Sequence, residues 1–191
     1  MQILLAVLLF FQALPGSPQL DNDFVRVFRN QAPCADGAAS CGERVLVALG
    51  PIEVGGQKME RGDVKGFKTG VRYTAPKSGE FLEVSIKPGH PKVMAPSAGT
   101  APAPDNKVLY TGKDFFVAAE KMVPGTTSTE HSHNQRVAIS INKAQVEQWT
   151  NGKDETRELV PDVPLWRPAV VHTSKNLGTV PISNILIEFK P

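Results

Sequence analysis

The residues best suited to chemistry in this 191-residue chain are its four histidines, His90, His131, His133 and His172. Two of them form His131-Ser132-His133, and on a β-strand residues i and i+2 point to one face. Neutral imidazole is a borderline ligand that suits Zn, Fe, Ni, Cu and, with oxygen partners, Mn. Two same-face imidazoles make half a metal site. A third ligand has to come from another segment, and His172 lies on a later strand. The plain alternative for His-x-His is a surface pair or a satisfied turn. His90, in Gly89-His90-Pro91, reads as a linker residue. Gly-x-Ser-x-Gly is absent and neither Gly-rich phosphate signature occurs, which argues against a serine hydrolase and a nucleotide binder. The only cysteines, Cys34 and Cys41, are close enough to bridge in an oxidising compartment, or stand as two free thiols.

The elements that must position these side chains are strands. Gly and Pro, 16 each, punctuate short apolar runs. Val137, Ile139 and Ile141 point one way and Arg136, Ser140 and Asn142 the other, the period of a half-buried strand. The odd parity also carries His131 and His133, so all five side chains are expected inside one barrel. Val45, Val47 and Leu49 share a parity too, blurred by Leu46 and Ala48. Residues 145–150 read as a strand entering an Asn151-Gly152 hairpin turn, with residues 155–160 as the return. No amphipathic helix stands out, and the fold class is all-β.

The chain also repeats itself. Asp23-Phe24-Val25 resembles Asp114-Phe115-Phe116, Glu43-Arg44-Val45 resembles Gln135-Arg136-Val137, and Val71-Arg72-Tyr73-Thr74 resembles Val170-Val171-His172-Thr173. Both copies close alike, on residues 82–88 and 185–191. This divides the chain into residues 1–20, 21–88, 89–106 and 107–191. The first segment holds an apolar run at residues 3–14 ended by Pro15 and Gly16. It is too short to span a bilayer comfortably and fits a signal peptide best, an uncleaved anchor or a buried segment being the other readings. Residues 89–106, rich in Pro, Ala, Gly and Ser, read as a linker or an extended arm.

Gly125 followed by five residues and His131-Ser132-His133 resembles the first motif of the cupin superfamily. His172 followed by three residues and Asn176 resembles the second, and internal duplication is known there as bicupins. The resemblance implies two small jelly-roll β-barrels, with His131, His133 and His172 on one divalent metal in the second: Fe, Mn, Zn, Ni or Cu. The sequence departs from the pattern in places. The glutamate usual after the second histidine is replaced by Val137 or Ala138, Pro168 sits one position too close to His172, and Ala169 replaces a glycine. Gln135 shares the expected inward parity and is an accessory candidate. Trp166, six residues before His172 and of its parity, is a candidate for the pocket wall. Under the repeat, Ala39, Cys41 and Tyr73 replace the three histidines, so the first copy is expected to be a degenerate repeat that packs against the second.

Three imidazoles leave metal positions open to water, dioxygen or substrate. One reading is therefore a metal-dependent dioxygenase or related oxidoreductase on a small oxygenated substrate. The other is a non-catalytic, metal-stabilised module that binds a sugar or another small molecule. Tyr110, Glu120 and Glu130 are acid–base candidates by identity alone. The net charge is +2 with Lys and Arg scattered, which argues against nucleic acid and against a membrane partner after signal removal. The leader points to a periplasmic or secreted protein, and the resemblance allows a homodimer formed by exchange of edge strands.

Overall fold

The computed structural model describes residues 16–94 and 106–191, so the apolar run at 3–14 and residues 95–105 of the expected linker lie outside the described residues. In the first half the strands are β1 (Leu20–Asp21), β2 (Val25–Arg29), β3 (Arg44–Ala48), β4 (Ile52–Val54), β5 (Gln57–Met59), β6 (Val64–Phe67) and β7 (Phe81–Ile86). The second half has β8 (Lys107–Thr111), β9 (Phe115–Met122), β10 (His131–His133), β11 (Arg136–Ser140), β12 (Ala144–Thr150), β13 (Lys153–Leu159), β14 (Pro164–Arg167), β15 (Val170–Asn176) and β16 (Ile182–Phe189). No helix among the described residues is long and apolar enough to cross a membrane.

The duplication is visible in the strand orders. One five-stranded sheet runs β1-β2-β7-β3-β6 and another β8-β9-β16-β11-β14, the same order position for position. Arg44 pairs with Ser85 and Arg136 with Glu188, as the repeat requires. The first match slips by one: Val25 lies opposite Ile86 and Phe115 opposite Phe189, so Val25 stands where Phe115 does. The third match fails as structure, because residues 71–74 form no strand. Where the second half has a further sheet, β10-β15-β12-β13, the described residues of the first half have the β4–β5 hairpin, a 3₁₀ turn at Ala39–Cys41 and irregular chain. The first β-strand includes Leu20, and Gln19 donates its N–H to Val27, so the sheet takes in two residues expected to belong to the leader.

The two five-stranded sheets pack face to face. Val25, Val27, Val45, Val47, Leu82 and Val84 from one meet Phe115, Val117, Val137, Ile139, Ile187 and Phe189 from the other. β3 is covered on its second face as well, where Leu46 and Ala48 meet Ile52, Val54 and Met59 of the hairpin. A strand buried on both faces reads as a continuous apolar run, which is why its alternation is blurred in the sequence. Arg61 adds a polar clamp between the halves, donating to the Ile141 carbonyl at 2.9 Å and to Asp162 at 2.5 Å.

Cys34 and Cys41 form a disulfide with a sequence separation of seven. Around it lies a buried polar group. Tyr73 donates its hydroxyl to Glu83, the Cys34 N–H donates to the other Glu83 oxygen at 3.1 Å, and Arg44 holds the carbonyls of Gly42, Lys68 and Val71. Burial raises the Glu83 carboxyl above the usual carboxylate range, while the Tyr73 and Cys34 bonds and Arg44 oppose the shift. Tyr73, at the repeat position of His172, is thus committed to a carboxylate. Closing so short a loop is worth about 2 kcal/mol through the unfolded chain. Reduction is therefore expected to lower the unfolding free energy by about that amount, read from urea denaturation with and without reductant.

Candidate metal centre

The second five-stranded sheet is used on both faces. One face belongs to the core between the halves. The other faces the sheet β10-β15-β12-β13 across a cavity of about 230 Å³. Alternation along each strand divides the two roles: on β11, Val137 and Ile139 enter the core while Arg136, Ala138 and Ser140 line the cavity.

This reverses the parity expected from the sequence. His131 and His133 do point inward, but Val137, Ile139 and Ile141 do not share their side. β10 and β11 belong to facing sheets, and the chain crosses between them at Asn134 and Gln135, where the inward parity changes from odd to even. The same crossing moves the two accessory candidates. Gln135 turns away from the imidazoles and its Oε1 accepts the Met94 N–H at 2.9 Å. Trp166 lies on the far face of β14, stacked on Phe24 with centroids 4.8 Å apart, and Leu165 and Arg167 take the cavity wall instead. His90 is linker in position, yet it packs on Phe24 and Phe189, both at 5.2 Å between centroids.

The antiparallel pairing of β10 with β15 sets His131 directly opposite His172 and His133 opposite Val170. All three imidazoles are buried, and one ring nitrogen of each lies within 4.8 Å of the others. His131 Nδ1 lies 2.8 Å from the Thr129 carbonyl and so carries the proton, leaving its Nε2 lone pair free. His133 Nδ1 is 3.0 Å from Glu188, which likewise turns Nε2 toward the cluster. Such a carboxylate behind a histidine fixes ring and tautomer, the usual support of a metal ligand. The same Glu188 accepts the Asn134 N–H at 2.8 Å, tying the sheet crossing to the site. His172 Nε2 is 3.0 Å from His131 Nε2. Two nitrogens about 2.1 Å from one ion are that far apart when they subtend roughly a right angle, so the pair fits a shared metal.

Ligation needs neutral imidazole, and the surroundings supply it. Burial, then the neighbouring His131 and His133, then Arg136 and Arg157 push His172 down to about 3. Burial also lowers His131. The unfolded chain titrates near 6.5, so below that value it takes up a proton that folded His172 refuses. Stability of the metal-free chain is therefore expected to fall as pH drops from 6.5 toward 3, by at most about 1.4 kcal/mol per pH unit from His172, and to be insensitive to His172 above 6.5. Urea midpoints at pH 7.5 and 5 read this slope, which should flatten in His172→Asn.

A carboxylate stands beside the cluster after all. Glu120 of β9 has Oε1 at 3.8 Å from His133 Nε2, and its Oε2 accepts from Asn184 Nδ2 at 2.7 Å. It comes from the facing sheet, brought in by the pairing of Glu120 with Asn184, and not from the positions of Val137 and Ala138. Glu120 stood out in the sequence by identity only, and Glu188, Arg136, Arg157 and Arg167 did not stand out as site residues. For Arg136 and Glu188, a charged residue among apolar ones in a strand was the available signal; Arg157, in the polar run Lys153–Leu159, offered none.

Among solved structures, the chain is similar to a cupin 2 conserved barrel domain protein from Leptotrichia buccalis. The TM-score is 0.52 at 12% identity, covering 90% of this chain and 86% of that one. AerE from Microcystis aeruginosa gives 0.53 at 14% identity, covering 89% of each chain. The fold is a cupin fold. Oxalate decarboxylase from Bacillus subtilis also matches, at TM-score 0.53 and 14% identity, covering 79% of this chain and 63% of that one, so this chain spans less than two thirds of its length. No family model matches this chain, and no curated protein matches it. Its three buried histidines are placed for metal binding, with the identity of the metal open.

Proposed function

We propose that this chain of cupin fold is a metal-dependent enzyme, an oxidoreductase of the dioxygenase kind acting on a small oxygenated substrate. The observation that carries the reading is the convergence of three buried imidazoles, two of them, His133 and His172, on the wall of a cavity that also holds Glu120. A bound divalent ion would supply a Lewis-acidic centre with positions open to oxygen ligands. His131, His133 and His172 would hold it, and Glu188 would keep His133 in the ligating tautomer. Glu120, fixed by Asn184, is within reach of anything bound beside His133 and serves as proton acceptor or donor. Val146, Leu165, Ile182 and Leu186 line the cavity and restrict water around the reacting group.

The Cys34–Cys41 bridge supports a periplasmic or secreted location, since disulfides persist in oxidising compartments. The apolar run at residues 3–14 would be the export signal.

The experiment is oxygen uptake by the full, tag-free chain reconstituted in turn with Fe²⁺, Mn²⁺, Zn²⁺, Ni²⁺ and Cu²⁺ and offered small 2-oxo and enolic carboxylic acids. Uptake with a redox-active metal, lost in Glu120→Gln with metal still bound, supports the reading. Stoichiometric metal without turnover on any acid would make the chain a metal-stabilised binding module instead.

A further inference from the structure

The cavity wall carries three guanidiniums, Arg136, Arg157 and Arg167, together with His172 and Gln148. Among the described residues none of the three makes an ion pair with a carboxylate. Arg136 is only 6% exposed. Its Nη1 donates to the Asn134 and Pro168 carbonyls at 3.3 and 3.2 Å, and its Nε is buried without a partner. Arg157 donates to Gln148, which in turn donates to Ser174 at 3.1 Å, and the Arg157 Nε is likewise buried and unpartnered. Arg167 makes no side-chain hydrogen bond among the described residues and lies close enough to repel both of the others. Burial lowers Arg136 to about 10, which leaves it charged at neutral pH. Glu188 and Glu120 attract Arg136 from a distance, and Glu155 and Glu120 attract Arg157, but none forms an ion pair with either, so the guanidiniums keep hydrogen-bonding capacity for an anion in the cavity.

We propose that the cavity binds a small dicarboxylate, one carboxylate on the Arg157 and Arg167 guanidiniums beside Arg136 and the other directed at the imidazole cluster. The planar fork of arginine matches a carboxylate through two parallel hydrogen bonds. The arginines border this space of about 230 Å³ and a neighbouring one of about 320 Å³, at the low end of the roughly 300–1,000 Å³ of pockets for drug-sized ligands, which suits a short acid. His172 lines the same wall as the arginines, so both poles serve one ligand. The second pole rests on the metal reading, whereas the arginine pole does not.

The test is calorimetric titration of malonate, malonamide and inorganic phosphate into the full, tag-free chain, both metal-free and Zn²⁺-loaded. It is repeated on Arg157→Gln and Arg167→Gln, with metal content and thermal midpoint measured in parallel. Malonate is expected to bind at least about tenfold more tightly than malonamide or phosphate. Each arginine variant should lose at least about tenfold in malonate affinity with metal content unchanged. Arg167 lacks a side-chain partner, so its substitution keeps the test valid if Arg157→Gln fails to fold. Arginine-dependent malonate binding in a chain that takes up no metal would sustain the anion site while removing the metal reading. Equal binding of malonate and malonamide, wild-type affinity in Arg167→Gln, or a preference for phosphate would overturn the proposal.

Discussion

Replacing His172 with alanine is expected to lower the affinity of the tag-free chain for a divalent ion by more than about 100-fold, because loss of a supporting group alone costs about 10–100-fold. His172 is the one imidazole of the cluster supplied by β15, and its Nε2 stands 3.0 Å from His131 Nε2. Without it, two imidazoles from a single strand remain. The side chain borders an existing cavity, so its removal should disturb packing little and the thermal midpoint should hold. Glu188→Gln should give a smaller loss, about 10–100-fold, since it weakens the orientation of His133 and leaves the ligands in place. His90→Ala is the control: its ring packs on Phe24, away from the cluster, and metal affinity should not change. Competition against a chromophoric chelator reads all three. Equal affinity in wild type and His172→Ala would remove the three-histidine site.

The second large effect concerns the union of the two halves. Phe189 is fully buried and sits at the end of the last strand, where its ring meets Phe24 at 5.2 Å, Trp166 at 5.8 Å and Phe115 at 6.4 Å between centroids. Phe24 belongs to the first half and the others to the second, so this ring is shared property of both. Phe189→Ala should cost about 3–5 kcal/mol, from lost transfer energy and the cavity left behind. The thermal midpoint should fall by on the order of 10 °C. Both halves should still melt in one transition, since their sheets share a core. A loss below about 1 kcal/mol, or two separate transitions, would show that the halves are stabilised independently.

Much of this was legible from local pattern. Asn151-Gly152 announced the β12–β13 hairpin, and both residues have the positive φ, 52° and 72°, that such a turn requires. The spacing of His131 and His133 put them on one face, and the repeat marked the strands that became the two matching sheets. What local pattern could not show was which face of β11 meets which neighbour. Both faces of that strand are covered, one by apolar core and one by the cavity wall, so alternation alone does not tell inside from outside. Extending the histidine parity through Asn134 and Gln135 therefore misplaced Gln135, and the same step through Pro168 and Ala169 misplaced Trp166. Glu120 escaped for another reason. It reaches the cluster only through the register of β9 on β16, a long-range pairing that no spacing along the chain encodes. Arg157 and Arg167 face the same cavity from different sheets, so their convergence too exists only in the assembled barrel.

The central claim is that one ion sits between the three imidazoles. Its most direct test is diffraction from crystals of the tag-free chain soaked with a divalent metal, recorded at that metal's absorption edge. The account predicts a single strong anomalous peak about 2.0–2.3 Å from a ring nitrogen of each of His131, His133 and His172. No peak at full metal excess, with His172 Nε2 still hydrogen-bonded to His131 Nε2, would contradict it.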